Sequence, residues 1–260
     1  MPEVSLSVVL ITFNEEANIT RCLDSVKEIA DDIVVLDSFS VDRTCEIAEE
    51  KGARVFRQAF AGHVQQKNDA LQFARFPYVL SLDADEAPDD ELKKAILAVK
   101  KNFRMDGYCF NRLTSYGGQW IRYGGWYPDK KLRLWDRRKG QWCGTDPHDR
   151  FEMQEGSRIG WLPGNLLHYS YSDREAHQRQ SDKFSESAAL AMFRQGKSAS
   201  FSKRYLSPVF RFFYSYFLRA GFLEGRAGFD IAWISAMASF KKYRRLYQLQ
   251  QSAREDAHRS

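Results

Sequence analysis

Between residues 5 and 101 the sequence alternates short, wholly apolar runs with longer segments of helical periodicity, and few folds accommodate that alternation. Ser5–Phe13 (SLSVVLITF), Asp32–Leu36 (DIVVL), Ala53–Phe56 and Tyr78–Leu82 read as strands buried on both faces. Between them, Asn14–Val26 places Ile19, Cys22, Leu23 and Val26 at helical spacing, and Asp42–Lys51 is a helix stopped by Gly52. Val64–Ala74 and Asp90–Lys101 complete the series. Strands separated by helices of about 10–15 residues give right-handed βαβ units and a largely parallel sheet. The expected class is therefore α/β, with a Rossmann-like sheet flanked by helices. After residue 105, frequent glycine and proline with short aromatic segments predict mixed strands and long loops, and from about Asp173 the chain is helical again.

Open parallel sheets bind ligands beyond the carboxyl ends of their strands. The first such turn lacks both GxGxxG and GxxxxGK[ST], so neither a dinucleotide fingerprint nor a P-loop is present. Polar and acidic residues stand there instead: Thr12, Asn14 and Glu15, then Asp37, Ser38 and Ser40, then Asp83, Asp85 and Glu86. Carboxylates repel bare phosphate, so a diphosphate sits among them with a divalent cation between, and an Asp-x-Asp at a strand end supplies hard oxygen ligands for magnesium or manganese. The four cysteines form no CxxC and no metal-ligand spacing, which argues against a zinc site or a disulfide scaffold and fits a reducing compartment. The N-terminal segment does not read as a signal peptide, and no stretch reaches the roughly 18 apolar residues that a spanning helix needs.

VVLITFNEE, VLDSFSVDRT and LSLDADE, in that order and spacing, resemble the inverting family 2 glycosyltransferases of the GT-A fold. GGWYPDKKLRLW, the His148–Asp149 pair, LLHYS and RAGFLEGRAGF resemble a narrower group, the bacterial lipopolysaccharide core β-1,4-glucosyltransferases. The resemblance implies transfer of a hexose, glucose in that group, from a UDP-sugar to a hydroxyl of a lipid-linked glycan. It places Thr12, Asn14 and Glu15 in the nucleotide-contacting turn and Asp37 against the base, with Ser38 where the common pattern has a second aspartate. It places Lys67 and Asn68 near the pyrophosphate and makes Asp83 and Asp85 the metal pair, Asp83 also facing the nucleotide sugar. The base that takes the acceptor proton is either Asp149, by position after His148, or Asp146. His168 is either a buried histidine satisfied by backbone or a further metal ligand. Trp126, Tyr127 and Asp129, with His148, are the acceptor or sugar contacts, against a core-filling reading of the aromatic pair, and Arg133 and Arg137 are phosphate contacts or solvated residues.

Charge divides the chain. Residues 194–260 carry a net charge of +9 and residues 1–193 a net charge of −4. Nucleic-acid binding is not expected, because the basic segment is loaded with aromatics, from Phe210 to Trp233. Tyr205–Leu218 and the uncharged run Ile231–Phe240 beside basic residues describe helices lying on an anionic membrane surface, against the alternative of an apolar face buried on the catalytic domain. The expected organisation is thus a catalytic domain over 1–195 and a basic helical extension over 196–260, peripheral on the inner face of the cytoplasmic membrane. Two alternatives stay open: a transferase acting on polyprenyl phosphate, and a non-catalytic nucleotide-sugar-binding module.

Overall fold

A computed structural model describes residues 3–145 and 148–259. The sheet grows from β1 (Leu6–Thr12), whose residues are almost all buried, with β2 (Asp32–Asp37) and β3 (Arg54–Arg57) added in parallel on one side. On its other side lies β4 (Tyr78–Asp83), also parallel. The helices between are α1 (Glu16–Val26), α2 (Thr44–Glu50), α3 (His63–Gln72) and α4 (Asp90–Lys101). Helix α1 buries Ile19, Cys22, Leu23 and Val26, the four residues whose spacing predicts it. Helix α4 begins where Asp89 accepts a 2.8 Å hydrogen bond from the Leu92 N–H, an N-cap that stabilises a helix by about 1 kcal/mol.

The register of these strands assembles the site. Thr12 lies opposite Asp37 and Ile11 opposite Asp83, so the ends of three strands converge on one edge. A short strand absent from the sequence reading, β5 (Glu86–Pro88), follows the Asp-x-Asp turn. Its pairing partner is distant in sequence, so no local pattern announces it. The remaining strands are β6 (Gly107–Tyr116), β7 (Gln119–Ile121), β8 (Asp129–Asp136), β9 (Gly140–Thr145), β10 (His148–Met153) and β11 (Ile159–Tyr171). Strand order is β3-β2-β1-β4-β8-β6-β11-β5, with β7 paired to β6 and a separate β9–β10 hairpin. Strand β8 pairs antiparallel with β4, and β11 with β5, so the sheet is mixed, as the α/β class with late irregular strands requires.

The chain divides into two compact units: Met1–Leu113 with Asp129–His168, and Thr114–Pro128 with Tyr169–Ser260. In the first, one core layer joins β1 and β4 to α1 and α4 through Leu10, Leu23, Leu80 and Ile96. The second core layer stacks Trp135 on Phe151 at 3.9 Å beside Trp142. The second unit contains α5 (Arg174–Arg194), α6 (Phe201–Phe213) and α7 (Gly225–Arg259). A wider helical turn over Tyr214–Leu218 extends α6. The expected boundary at residue 195 falls inside this unit, because α5 as well as α6 packs along α7. The RAGFLEGRAGF segment turns the chain into α7: a Cβ on Gly228 would lie 1.8 Å from the Gly221 carbonyl oxygen, so only glycine permits this approach. Glu224, buried in the same turn, accepts hydrogen bonds from the N–H groups of Arg122 and Tyr123 and from the Gln119 amide. Among the described residues no helix is long and apolar enough to cross a membrane.

Candidate active site

The turns after β1 and β2 are stitched together by side chains. Asp37 is fully buried, and its carboxylate accepts from the Thr12 hydroxyl at 2.9 Å and from the Ser40 N–H at 2.7 Å, with the Ser40 hydroxyl as a third donor. Burial pushes its pKa up, but the hydrogen bonds from Ser40 and Thr12 outweigh that and hold it below the usual carboxylate range. Asn14 adopts a left-handed backbone, φ 55°, which asparagine tolerates, with its N–H on the Ser40 hydroxyl and its side-chain oxygen accepting from the Val41 N–H. The Glu15 N–H donates to the Thr44 hydroxyl at 2.7 Å. Burial raises the Glu15 pKa; the Asn18 amide lowers it, and the charges of Asp85 and Asp83 raise it further. Ser38 sits beneath this turn, its hydroxyl accepting from the Gln66 amide at 3.2 Å.

Lys67, only 7 % exposed on α3, ties two carboxylates together: its Nζ lies 2.8 Å from Asp149 Oδ2 and 3.2 Å from Asp83 Oδ1, above the Trp142 ring. Arg133, buried on β8, takes the other oxygen of Asp83 at 2.8 Å and Glu86 at 3.1 Å. Burial alone would suppress ionisation of Asp83, but the charges of Arg133 and Lys67 dominate and hold it far below the carboxylate range. The same carboxylates outweigh the burial of the Arg133 guanidinium and keep it protonated. Glu86, with Arg133, Arg112 and the Asp83 N–H as partners, supports Asp83 from behind. Lys67, Asp83, Arg112, Arg133, Trp142 and Asp149 border a cavity of about 310 Å³ that Lys130, Lys131 and Arg150 also line, within the range of small-molecule sites.

Strand β11 returns His168 to the Asp-x-Asp turn. His168 is paired with Glu86 across the β5–β11 ladder, and its Nε2 lies 3.1 Å from Asp85 Oδ2. Neighbouring ligands of an octahedral ion with bonds of about 2.1 Å stand roughly 3 Å apart, so this pair has the spacing of two ligands on one cation. Carboxylate suits magnesium and manganese, and imidazole suits transition metals. Among the described residues no cluster of three or more ligating side chains exists, so substrate oxygens and water would complete the shell.

Several expected site residues serve other purposes here. Asn68 grips the β9 backbone, donating to the Trp142 carbonyl and accepting from the Trp142 N–H, both at 2.9 Å. Its amide is thereby committed to holding the wall of the pocket. Asp129 forms ion pairs with Arg112 at 2.9 Å and Lys131 at 3.1 Å. Arg137 donates to the Leu71 carbonyl at 2.7 Å. Trp126 and Tyr127 belong to the second unit, where Trp126 meets Tyr116 and His177 edge-on and Tyr127 lies under the Arg122 guanidinium at 5.6 Å. Asp146 lies outside the described residues; His148 opens β10, and its side chain lies outside them too.

The sequence reading missed Arg112, Trp142, Lys130 and Lys131, all of which line the cavity. Within DKKLRLW the period of two that puts Lys131 on the same face as Arg133 was a signal for Lys131 alone; Arg112 and Trp142 come from other strands. It also missed Phe13 and Phe39, which are exposed in the stitched turns; Phe39 has φ 61°, unusual for a bulky side chain. An aromatic residue set among polar turn residues was the signal there.

Residues 7–197 match the glycosyl transferase family 2 model. A glycosyltransferase of Rickettsia bellii is 30 % identical over 259 residues, covering 94 % of this chain and 86 % of that one. The lipopolysaccharide core biosynthesis glycosyltransferase LpsC of Rhizobium meliloti is 26 % identical, covering 95 % and 94 %. Among solved structures, a glucosyl-3-phosphoglycerate synthase of Mycobacterium tuberculosis is similar over 44 % of each chain at 25 % identity and a TM-score of 0.36. TarS of S. aureus is similar over 97 % of this chain and 92 % of that one at 16 % identity and a TM-score of 0.45. The family match covers more than half of the sequence, and the first unit presents the acidic strand ends that the family's motifs require: this chain is a glycosyltransferase and belongs to glycosyl transferase family 2.

Proposed function

We propose that this glycosyltransferase moves a hexose, glucose being the leading candidate, from a UDP-sugar to a sugar hydroxyl of a lipid-linked glycan such as the lipopolysaccharide core, with inversion at the anomeric carbon. The observation that carries the reading is the Lys67 bridge, which holds Asp149 and Asp83 in one pocket. Asp149 is the base. Its carboxylate takes the acceptor hydroxyl proton as the new C–O bond forms, while the bond from the anomeric carbon to the phosphate oxygen breaks and its electron pair leaves on UDP. Asp83 is neutralised by Lys67 and Arg133, so it can stand beside the donor without repelling the diphosphate. Asp85 and His168 are the residues that would hold manganese or magnesium, and such an ion would supply positive charge for the leaving diphosphate. Thr12, Asn14, Glu15 and Ser38 shape the nucleotide turn, with the Phe13 and Phe39 rings beside it as stacking faces. The relative named for lipopolysaccharide core biosynthesis supports the choice of acceptor class.

The test is UDP release by the purified chain from a panel of UDP-hexoses with manganese, with and without truncated lipopolysaccharide core. The expected result is release that core acceptor accelerates and a β-linked product from an α-linked donor. Absence of turnover with every UDP-hexose, or a product that retains the donor's configuration, overturns the reading.

A further inference from the structure

A buried helix turns its apolar stripe to the core and its charged residues to water. Helix α6 and its extension do the reverse. Phe201 and Leu218 are 68 % and 73 % exposed, and between them positions 205, 206, 209, 210, 213, 214 and 217 are also apolar or aromatic and exposed. That spacing follows the helical period, so one continuous stripe faces outward. Its rings stack on one another, Phe210 on Tyr214 and Phe213 on Phe217. The inward side is smaller and more polar: Pro208 and Ser215 are buried, the Ser207 hydroxyl lies 3.4 Å from that of Ser239, and the Arg204 guanidinium lies over the Tyr247 ring.

Charge identifies what covers the stripe. Between residues 195 and 229 the chain has six basic residues and one acid, Glu224. That acid is buried with its carboxylate on the backbone of Arg122 and Tyr123, and Lys203, Arg211, Arg219 and Arg226 are exposed. Arg226 pairs with Asp230 at 4.0 Å, which leaves Lys203, Arg211 and Arg219 as an excess of positive charge along the stripe. An apolar stripe flanked by such an excess complements a layer of hydrocarbon beneath anionic headgroups, whereas a second copy of the chain would bring like charges together. We infer that the α6 face is a membrane-docking surface that lies in the interface of an anionic bilayer, its aromatic stripe among the upper acyl chains. This goes beyond the transferase reading and does not depend on it.

The test is flotation of the full chain with vesicles of phosphatidylcholine alone and of phosphatidylcholine containing phosphatidylglycerol. Binding to the anionic vesicles is expected, weakened but not abolished by salt. Leu206→Ser, Phe210→Ser and Leu218→Ser together remove exposed side chains only, so the circular dichroism spectrum should be unchanged while partitioning falls at least roughly tenfold. Lys203→Gln with Arg211→Gln should lower it roughly twenty-five-fold, at about fivefold for each basic residue. Partitioning that is absent in the parent, or equal in parent and serine variant, overturns the inference. So does light scattering that shows a dimer in the parent, a monomer in the serine variant and no vesicle binding by either.

Discussion

Replacing Lys67 with methionine tests the architecture of the site most directly. The side chain keeps nearly its shape and its place over Trp142 but loses the charge shared by Asp83 and Asp149. At separations of 3.2 and 2.8 Å and an effective dielectric of about 20, the two attractions are each worth roughly 5–6 kcal/mol before desolvation. Desolvating the ions offsets most of that, and removing one partner of a fully buried pair costs about 3–5 kcal/mol. Asp83 keeps Arg133, and its side chain is one-third exposed, so the net loss should be about 2–3 kcal/mol. At roughly 2–4 °C per kcal/mol for a chain of this size, Tm should fall by about 5–10 °C. Denaturant and thermal unfolding of Lys67→Met, Asp149→Asn and the double variant give the coupling. The double variant should recover about 1–2 kcal/mol relative to Lys67→Met, because the carboxylate left without its cation is gone. A single variant within about 0.5 kcal/mol of the parent, or strictly additive losses, would refute the claim that the bridge organises the pocket.

Asp149→Asn should lower kcat by ~10²–10⁴ with little change in donor affinity, checked by steady-state kinetics and UDP titration. Asp85→Ala should abolish turnover, and His168→Ala should raise the manganese concentration needed for half-maximal activity; full activity in excess chelator would contradict the metal assignment. Asn68→Ala should destabilise by about 1–3 kcal/mol, because the Trp142 N–H and carbonyl lose their partner, as measured by denaturant unfolding. Burial lowers the His177 pKa from 6.5 to about 4, against a weaker pull from Asp230. The unfolded chain therefore takes up a proton that the folded one refuses, and stability should fall as pH drops from about 6.5 towards 4, by up to about 3 kcal/mol. His177→Phe should flatten that slope in melts across this range.

The parallel half of the fold was legible because its signals are local. Asp90–Lys101 is α4 to the residue, and the β1, β2 and β4 assignments hold to within one residue at each end, since strands buried on both faces are apolar without interruption. The antiparallel half was not legible. Its strands are specified by partners far along the chain, as β5 is by β11, and its face-to-face alternation is broken by paired charges such as Arg112, Asp129 and Arg133. At the site, Lys67, Asp83 and Asp149 were readable by position, whereas the commitment of Asn68 to a backbone could be read only in three dimensions. The division at 195 followed the change in charge, and packing ignores that boundary: α5 precedes the basic segment yet lies along α7.

The bridge from Lys67 to Asp149 spans 82 residues of chain, and the grip of Asn68 on Trp142 spans 74. A nascent chain that has reached the end of β4 already contains every strand of the parallel pairings, since β1–β2, β2–β3 and β1–β4 involve nothing downstream. It then carries Lys67 and Asp83 without the carboxylate proposed to do chemistry, and without the strand that brings His168 to Asp85. No partial fold that stops before β10 contains the complete pocket. Ordering of the late, non-local strands is slow relative to helix formation, so the capacity to transfer sugar arises in the last stage of folding rather than with the compact first half. Recovery of activity after dilution from denaturant should therefore lag recovery of helical circular dichroism.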